Sequence, residues 1–126
     1  MITAHFIFYV ADQDESTRFY ETTLGLKPRL HVPGMTEFSL NNGAILGLMP
    51  EKGIKRLLGD KIKNPSDASG VPRAELYLLV KDPQEYQTRA LNSGANELSP
   101  LEKRDWGHSA AYCSDPDGHI LAFACL

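Results

Sequence analysis

The stretch His5–Leu26, HFIFYVADQDESTRFYETTLGL, joins a strand to a helix. Ile2 to Val10 is rich in β-branched and aromatic residues, the composition that suits a pleated, half-buried surface. Asp12 then offers an N-cap, and Glu15 stands three residues on, the spacing of a capping box. Phe19 and Tyr20 give the helix an apolar face. Gly25 stops it, because glycine enters the left-handed conformation at a helix end without a Cβ penalty.

The same order recurs at Glu75–Leu98, ELYLLVKDPQEYQTRALNSGANEL. Here Asp82 is the N-cap, Pro83 takes the first helical position, Glu85 completes the box and Gly94 is the stop. Val10 and Val80 are 70 residues apart, as are Asp12 and Asp82. The second halves match as well. NNGAILGLM (Asn41–Met49) and PDGHILAFA (Pro116–Ala124) each carry a glycine turn followed by x-Ile-Leu. Four landmarks in one order point to a duplication. The prediction is α+β: one domain, 1–126, built from two βαβββ units at 1–49 and 73–126. The linker, 50–72, holds a short amphipathic helix in GIKRLLGDKI and a loop in NPSDASGVP.

Composition narrows the function. The 126 residues suffice for one modest core, and 42% hydrophobic with 23% charged residues is ordinary for a globular chain. A net charge of −3, with scattered Lys and Arg, lacks the basic footprint of a nucleic-acid binder. No apolar run approaches the ~20 residues needed to span a bilayer, and MITAHFIF has no secretory pattern, so the cytoplasm is the expected location and no membrane partner is expected. Cys113 and Cys125 form neither a CxxC unit nor a zinc quartet with histidines; both read as buried free thiols.

A tandem βαβββ repeat with VxD…FY…LGL in the first unit and DPDGH near the end resembles the vicinal oxygen chelate superfamily, which includes glyoxalase I, extradiol dioxygenases, and fosfomycin- and bleomycin-resistance proteins. The resemblance covers nearly all of the chain outside the linker. It implies curved mixed sheets enclosing a cleft, and a homodimer. In metal-dependent relatives four inward residues hold the metal. Their slots here are His5, Gly47, Glu75 and Ala122. Two of the four have no donor atom, whereas zinc sites need at least three protein ligands. The expectation is no metal and no cofactor, and Gly47 and Ala122 disfavour glyoxalase I activity.

Strand alternation then sorts the remaining residues. With His5 inward, Ile7 and Tyr9 follow it, while Phe6, Phe8 and Val10 turn to the helices. Glu75 and Tyr77 face in from the second unit, and the two small slots are expected to leave room. Trp106, the single tryptophan, precedes the DPDG turn as in bleomycin-resistance-type relatives. His108, Tyr112 and Ser114 alternate after it. Glu75 is costly to bury unpaired, so its expected partner is His5, Arg73 or a ligand cation. The expected ligand-binding set is His5, Tyr9, Gly47, Glu75, Tyr77, Trp106, Tyr112 and Ala122. The favoured expectation is a metal-independent, bleomycin-resistance-like protein that takes a small organic molecule in a dimer cleft. The alternative is a lyase, isomerase or dioxygenase-like enzyme in which His5 and Glu75 are catalytic, with an atypical metal or none. A ligand sensor or purely structural dimer is a third.

Overall fold

The computed structural model describes residues 2–126. The chain folds as two compact units, Met1–Glu21 with Gly25–Ser69, and Thr22–Leu24 with Gly70–Leu126.

In the first unit, strand β1 (Ala4–Val10) leads into helix α1 (Gln13–Leu24), followed by β2 (Leu30–Val32), β3 (Met35–Asn41) and β4 (Ala44–Pro50). The predicted cap forms: Asp12 accepts from the Glu15 amide at 3.0 Å. Gly25 closes the helix with φ +67°. The sheet order is β1-β4-β3-β2, with β1 parallel to β4 and the remaining pairs antiparallel. Phe38, Leu46 and Leu48 are buried on one face. Thr17 and Thr36 share a buried hydroxyl hydrogen bond at 2.9 Å. Val10 is buried, as expected, but Phe6 is 52% exposed. It lies on an edge strand with a neighbour on one side only, so alternation puts it on the helix-facing side without providing a cover.

The linker is more ordered than its composition suggests. Helix α2 (Glu51–Leu58) buries Ile54, and short 3-10 turns follow at Gly59–Lys61 and Pro65–Ala68.

The second unit repeats the first: β5 (Glu75–Leu79), α3 (Pro83–Asn92), β6 (Asn96–Lys103), β7 (Ser109–Ser114) and β8 (Ile120–Cys125), in the order β5-β8-β7-β6. β5 runs parallel to β8, as β1 does to β4. Asp82 accepts from the Glu85 amide at 3.2 Å. Leu121, Phe123 and Cys113 are buried on the side that α3 covers, where Tyr86 meets Phe123 with ring centroids 5.6 Å apart. Among the described residues no helix is long and apolar enough to cross a membrane.

The two cysteines differ. Both are free, but Cys113 is buried and Cys125 only half-buried. Burial pushes the Cys113 thiol up to about 12, helped by the nearby carboxylates of Asp115 and Glu97. A thiol is the neutral form, so the folded state holds its proton longer than the unfolded chain. This contribution is therefore full below the ordinary thiol range and is lost as pH rises from about 9 towards 12. At pH 8 a thiol reagent is expected to label Cys125 quickly and Cys113 only on unfolding. Equal labelling rates would show that the second sheet opens easily.

Candidate functional site

On the first sheet, register fixes which side chains share a face. His5 stands opposite Ile45, which stands opposite Ser39; Ile7 is followed across the sheet by Gly47 and Glu37. His5 Nδ1 lies 3.4 Å from Glu37 Oε2. The other oxygen, Oε1, accepts from Arg29 Nε at 2.9 Å. An imidazole with 37% side-chain exposure thus sits beside a carboxylate that a guanidinium already holds. Gly47 is buried, and its space is occupied. A Cβ there would stand 3.1 Å from Ile7 Cγ1 and 3.3 Å from Met35 Sδ. The expected room at this slot is taken by neighbouring apolar side chains, which sequence alternation alone does not reveal.

On the second sheet one row reads Tyr77, Ala122, Tyr112, Ser99 across β5, β8, β7 and β6. Ala122 is 0% exposed between the two tyrosines. Glu75 is two residues from Tyr77 and therefore on the same face. The β6–β7 turn reaches this row. Gly107 donates to the Arg104 carbonyl and the Arg104 amide to the His108 carbonyl, closing the hairpin. Trp106 Nε1 donates to the Tyr77 hydroxyl at 2.9 Å, and that hydroxyl shares a 2.7 Å hydrogen bond with His108 Nδ1. The Tyr77 and His108 rings lie 5.8 Å apart. Trp106 remains 55% exposed. Arg104 lies 5.2 Å from the Tyr112 ring centre while donating to the Ala110 carbonyl and the Ser99 hydroxyl. From α3, the buried Gln87 donates to the Tyr112 carbonyl at 3.0 Å and pins β7 from behind. Desolvation holds the Tyr112 phenol above its ordinary range, with Glu75 and Tyr77 adding to the rise and Arg104 opposing it. Glu75 is exposed and makes no ion pair among the described residues.

The four slots named from the resemblance divide between the units, His5 and Gly47 in the first, Glu75 and Ala122 in the second. Glu37 is the carboxylate found beside His5 within the first unit. Each unit offers one donor among its two slots. The filled space at Gly47 and the tyrosine-flanked methyl at Ala122 do not fit a four-ligand metal centre. Among the described residues one group of three potential ligands lies close together, Asp115, Asp117 and His119. Asp115 Oδ1 there accepts from the Asp117 and His119 amides and so serves the turn.

Tyr77, Trp106 and Tyr112 come together on the second unit. Tyr9 stands on the first sheet opposite Met49. Arg29 and Arg104 were not anticipated from sequence, since each acts through a hairpin pairing that local pattern does not encode. A depression of about 310 Å³ opens elsewhere, at Asp12–Asp14 and His31–Pro33. Its polar groups brace the chain: Gln13 donates to the Val32 carbonyl and accepts from the Gly34 amide, tying α1 to the β2–β3 turn.

Comparison with known proteins agrees with this topology. A structure described as a glyoxalase-related enzyme from Fulvimarina pelagi covers 98% of this chain and 87% of its own, with TM-score 0.82 and 23% identity. A glyoxalase/bleomycin resistance protein/dioxygenase family enzyme from Burkholderia phytofirmans covers 99% and 98%, with TM-score 0.81 and 11% identity. At such identities the likeness is one of fold. An uncharacterized protein of Mycobacterium bovis is 32% identical over 72 residues, 57% of this chain and 47% of that protein, so the match spans under half the relative's length. The profile of the Glyoxalase/Bleomycin resistance protein/Dioxygenase superfamily matches residues 2–123. Taken with the duplicated β1-β4-β3-β2 topology, that match is decisive: the chain belongs to this superfamily.

Proposed function

We propose that the chain is a metal-independent, bleomycin-resistance-like binding protein for a small organic molecule, and that the molecule lies against the Glu75–Tyr77–Tyr112 face of the second unit. One observation carries this reading. Trp106, more than half exposed, is held in place through its ring nitrogen by the Tyr77 hydroxyl, beside His108. An exposed indole with a fixed orientation and polar neighbours suits an aromatic wall of a ligand site. Ala122 then acts as a close-packed floor residue of that face, and Gly47 holds the equivalent position in the first sheet. Tyr9 and His5 belong to the corresponding face of the first sheet, where Ile7, Leu30 and Val32 are also exposed. Apolar exposure of this kind supports a homodimer. Light scattering is expected to give twice the chain mass, and a monomer at micromolar concentration would remove the dimer from the proposal. Two free thiols accord with the cytoplasm.

Trp106 is the chain's single tryptophan and so provides the test. A compound screen is expected to yield ligands that change its emission and raise the melting temperature. A ligand at a hundred times its dissociation constant stabilises by about 2.7 kcal/mol. Protein purified without added metal is expected to hold well under one equivalent of any transition metal. Stoichiometric metal would overturn metal independence.

An enzyme is the second reading. The His5–Glu37–Arg29 group favours it, since a carboxylate beside an imidazole suits proton transfer; similar structures are also described as enzymes. A lyase, isomerase or dioxygenase-like reaction would use His5. Turnover lost in His5→Ala, with the Trp106 response intact, would support it.

A further inference from the structure

We infer that the ligand of the second unit is a ring-bearing cation with N–H donors, of the arylmethylammonium or amidinium kind, whose donor group meets the Tyr77 oxygen and the Glu75 carboxylate. This rests on the reading that the unit binds a small molecule. The protons and lone pairs around Tyr77 select the ligand class.

Trp106 Nε1 can only donate, so one lone pair of the Tyr77 oxygen is taken. The phenolic proton then has one acceptor at hand, His108 Nδ1, at 2.7 Å. With His108 as the Nε2–H tautomer that bond commits the Tyr77 proton, whereas the Nδ1–H tautomer would donate to Tyr77 and leave its proton for an acceptor such as benzoate. We assign the Nε2–H tautomer, in which the Tyr77 oxygen offers a ligand a lone pair and no proton. A carboxylate or phosphate arriving there would set lone pair against lone pair. An N–H or O–H would be accepted.

Glu75 supplies the sign of the charge. It lies two residues from Tyr77 on the same strand face and holds no ion pair among the described residues. Arg104, the basic group beside Tyr112, is spent on the Ala110 carbonyl, Ser99 and the Tyr112 ring. Trp106 is more than half exposed, and an indole face attracts cations. A carboxylate without an ion pair, a hydroxyl that accepts and an exposed indole together select a cation with hydrogens to donate.

The test uses the intact chain and four probes: benzamidine as its cation, benzyltrimethylammonium, benzyl alcohol and benzoate. Binding is followed by Trp106 fluorescence and by calorimetry. Benzamidinium is expected to bind most tightly. Benzyltrimethylammonium, which has charge without N–H donors, should bind about tenfold more weakly, and benzoate should not bind. Tyr77→Phe keeps the ring and removes the oxygen. It should cost benzamidinium about tenfold more than it costs benzyltrimethylammonium, since both lose the indole that the oxygen held but only benzamidinium loses a hydrogen bond. Glu75→Gln, an exposed position, should weaken both cations, and thermal melts of each variant report whether it folds.

Benzoate binding as well as benzamidinium, or a Tyr77→Phe variant with unaltered preference, overturns the inference. If benzyl alcohol or benzoate binds at Trp106 and the cations do not, the ligand class is wrong while the binding reading stands. If no compound of a broad screen moves Trp106, the binding reading falls, and the inference with it.

Discussion

Replacing Gly118 with alanine is expected to destabilise the fold by about 2–4 kcal/mol, from a strained backbone of 1–3 kcal/mol plus a steric clash. Gly118 has φ +90°, a conformation that residues with a Cβ rarely adopt. A Cβ there would also stand 3.0 Å from the Gly70 Cα and 3.1 Å from its nitrogen. Gly70 is itself at φ +77°, so two glycines meet where the linker crosses the DPDG turn within the second unit. Backbone cannot step aside as a flexible side chain does, so the clash must move the linker or the turn. Gly94→Ala is the control. Its φ is +105°, yet nothing lies within 4 Å of the new Cβ. It should show the conformational cost alone, about 1–3 kcal/mol. Urea denaturation of both variants measures the difference. Equal losses would mean that the approach of Gly70 is irrelevant to stability.

Ala122→Leu is expected to cost about 1–3 kcal/mol by overpacking and to abolish ligand binding. Ala122 is fully buried and stands in register between Tyr77 and Tyr112. The added carbons of leucine would press on Tyr77, whose hydroxyl holds both Trp106 and His108. Losing that hydroxyl bond releases the indole, so Trp106 emission should shift to longer wavelength in the variant without ligand. Sequence alone suggests the opposite energetic result, an open slot that accepts leucine cheaply. The structure reverses it because Ala122 is fully buried, with Tyr77 and Tyr112 as its register neighbours. A stable Ala122→Leu variant that keeps its Trp106 emission and binds benzamidinium would restore the open slot.

Much of the architecture is written in local chemistry. Asp12 and Glu15, and Asp82 and Glu85, are three residues apart, and a cap is made within that distance. Period-two alternation placed Glu75 and Tyr77 on one face and gave the Tyr77–Ala122–Tyr112 row its members. The duplication, with offsets near 70 residues, yielded both sheets at once, because one sequence pattern folds twice under the same rules. The tertiary structure decided the rest, and the reason is distance along the chain. Glu37 on β3 meets His5 on β1 across the intervening β4, a strand order that no local pattern encodes. Phe6 is exposed because β1 ends a sheet, and strand order cannot be read from alternation. Trp106 and His108 reach Tyr77 from 29 and 31 residues away through a hairpin turn. The sequence by itself determined the residue types and the faces they share; which lone pairs and protons meet was decided only by non-local strand pairing and the loops that cross it.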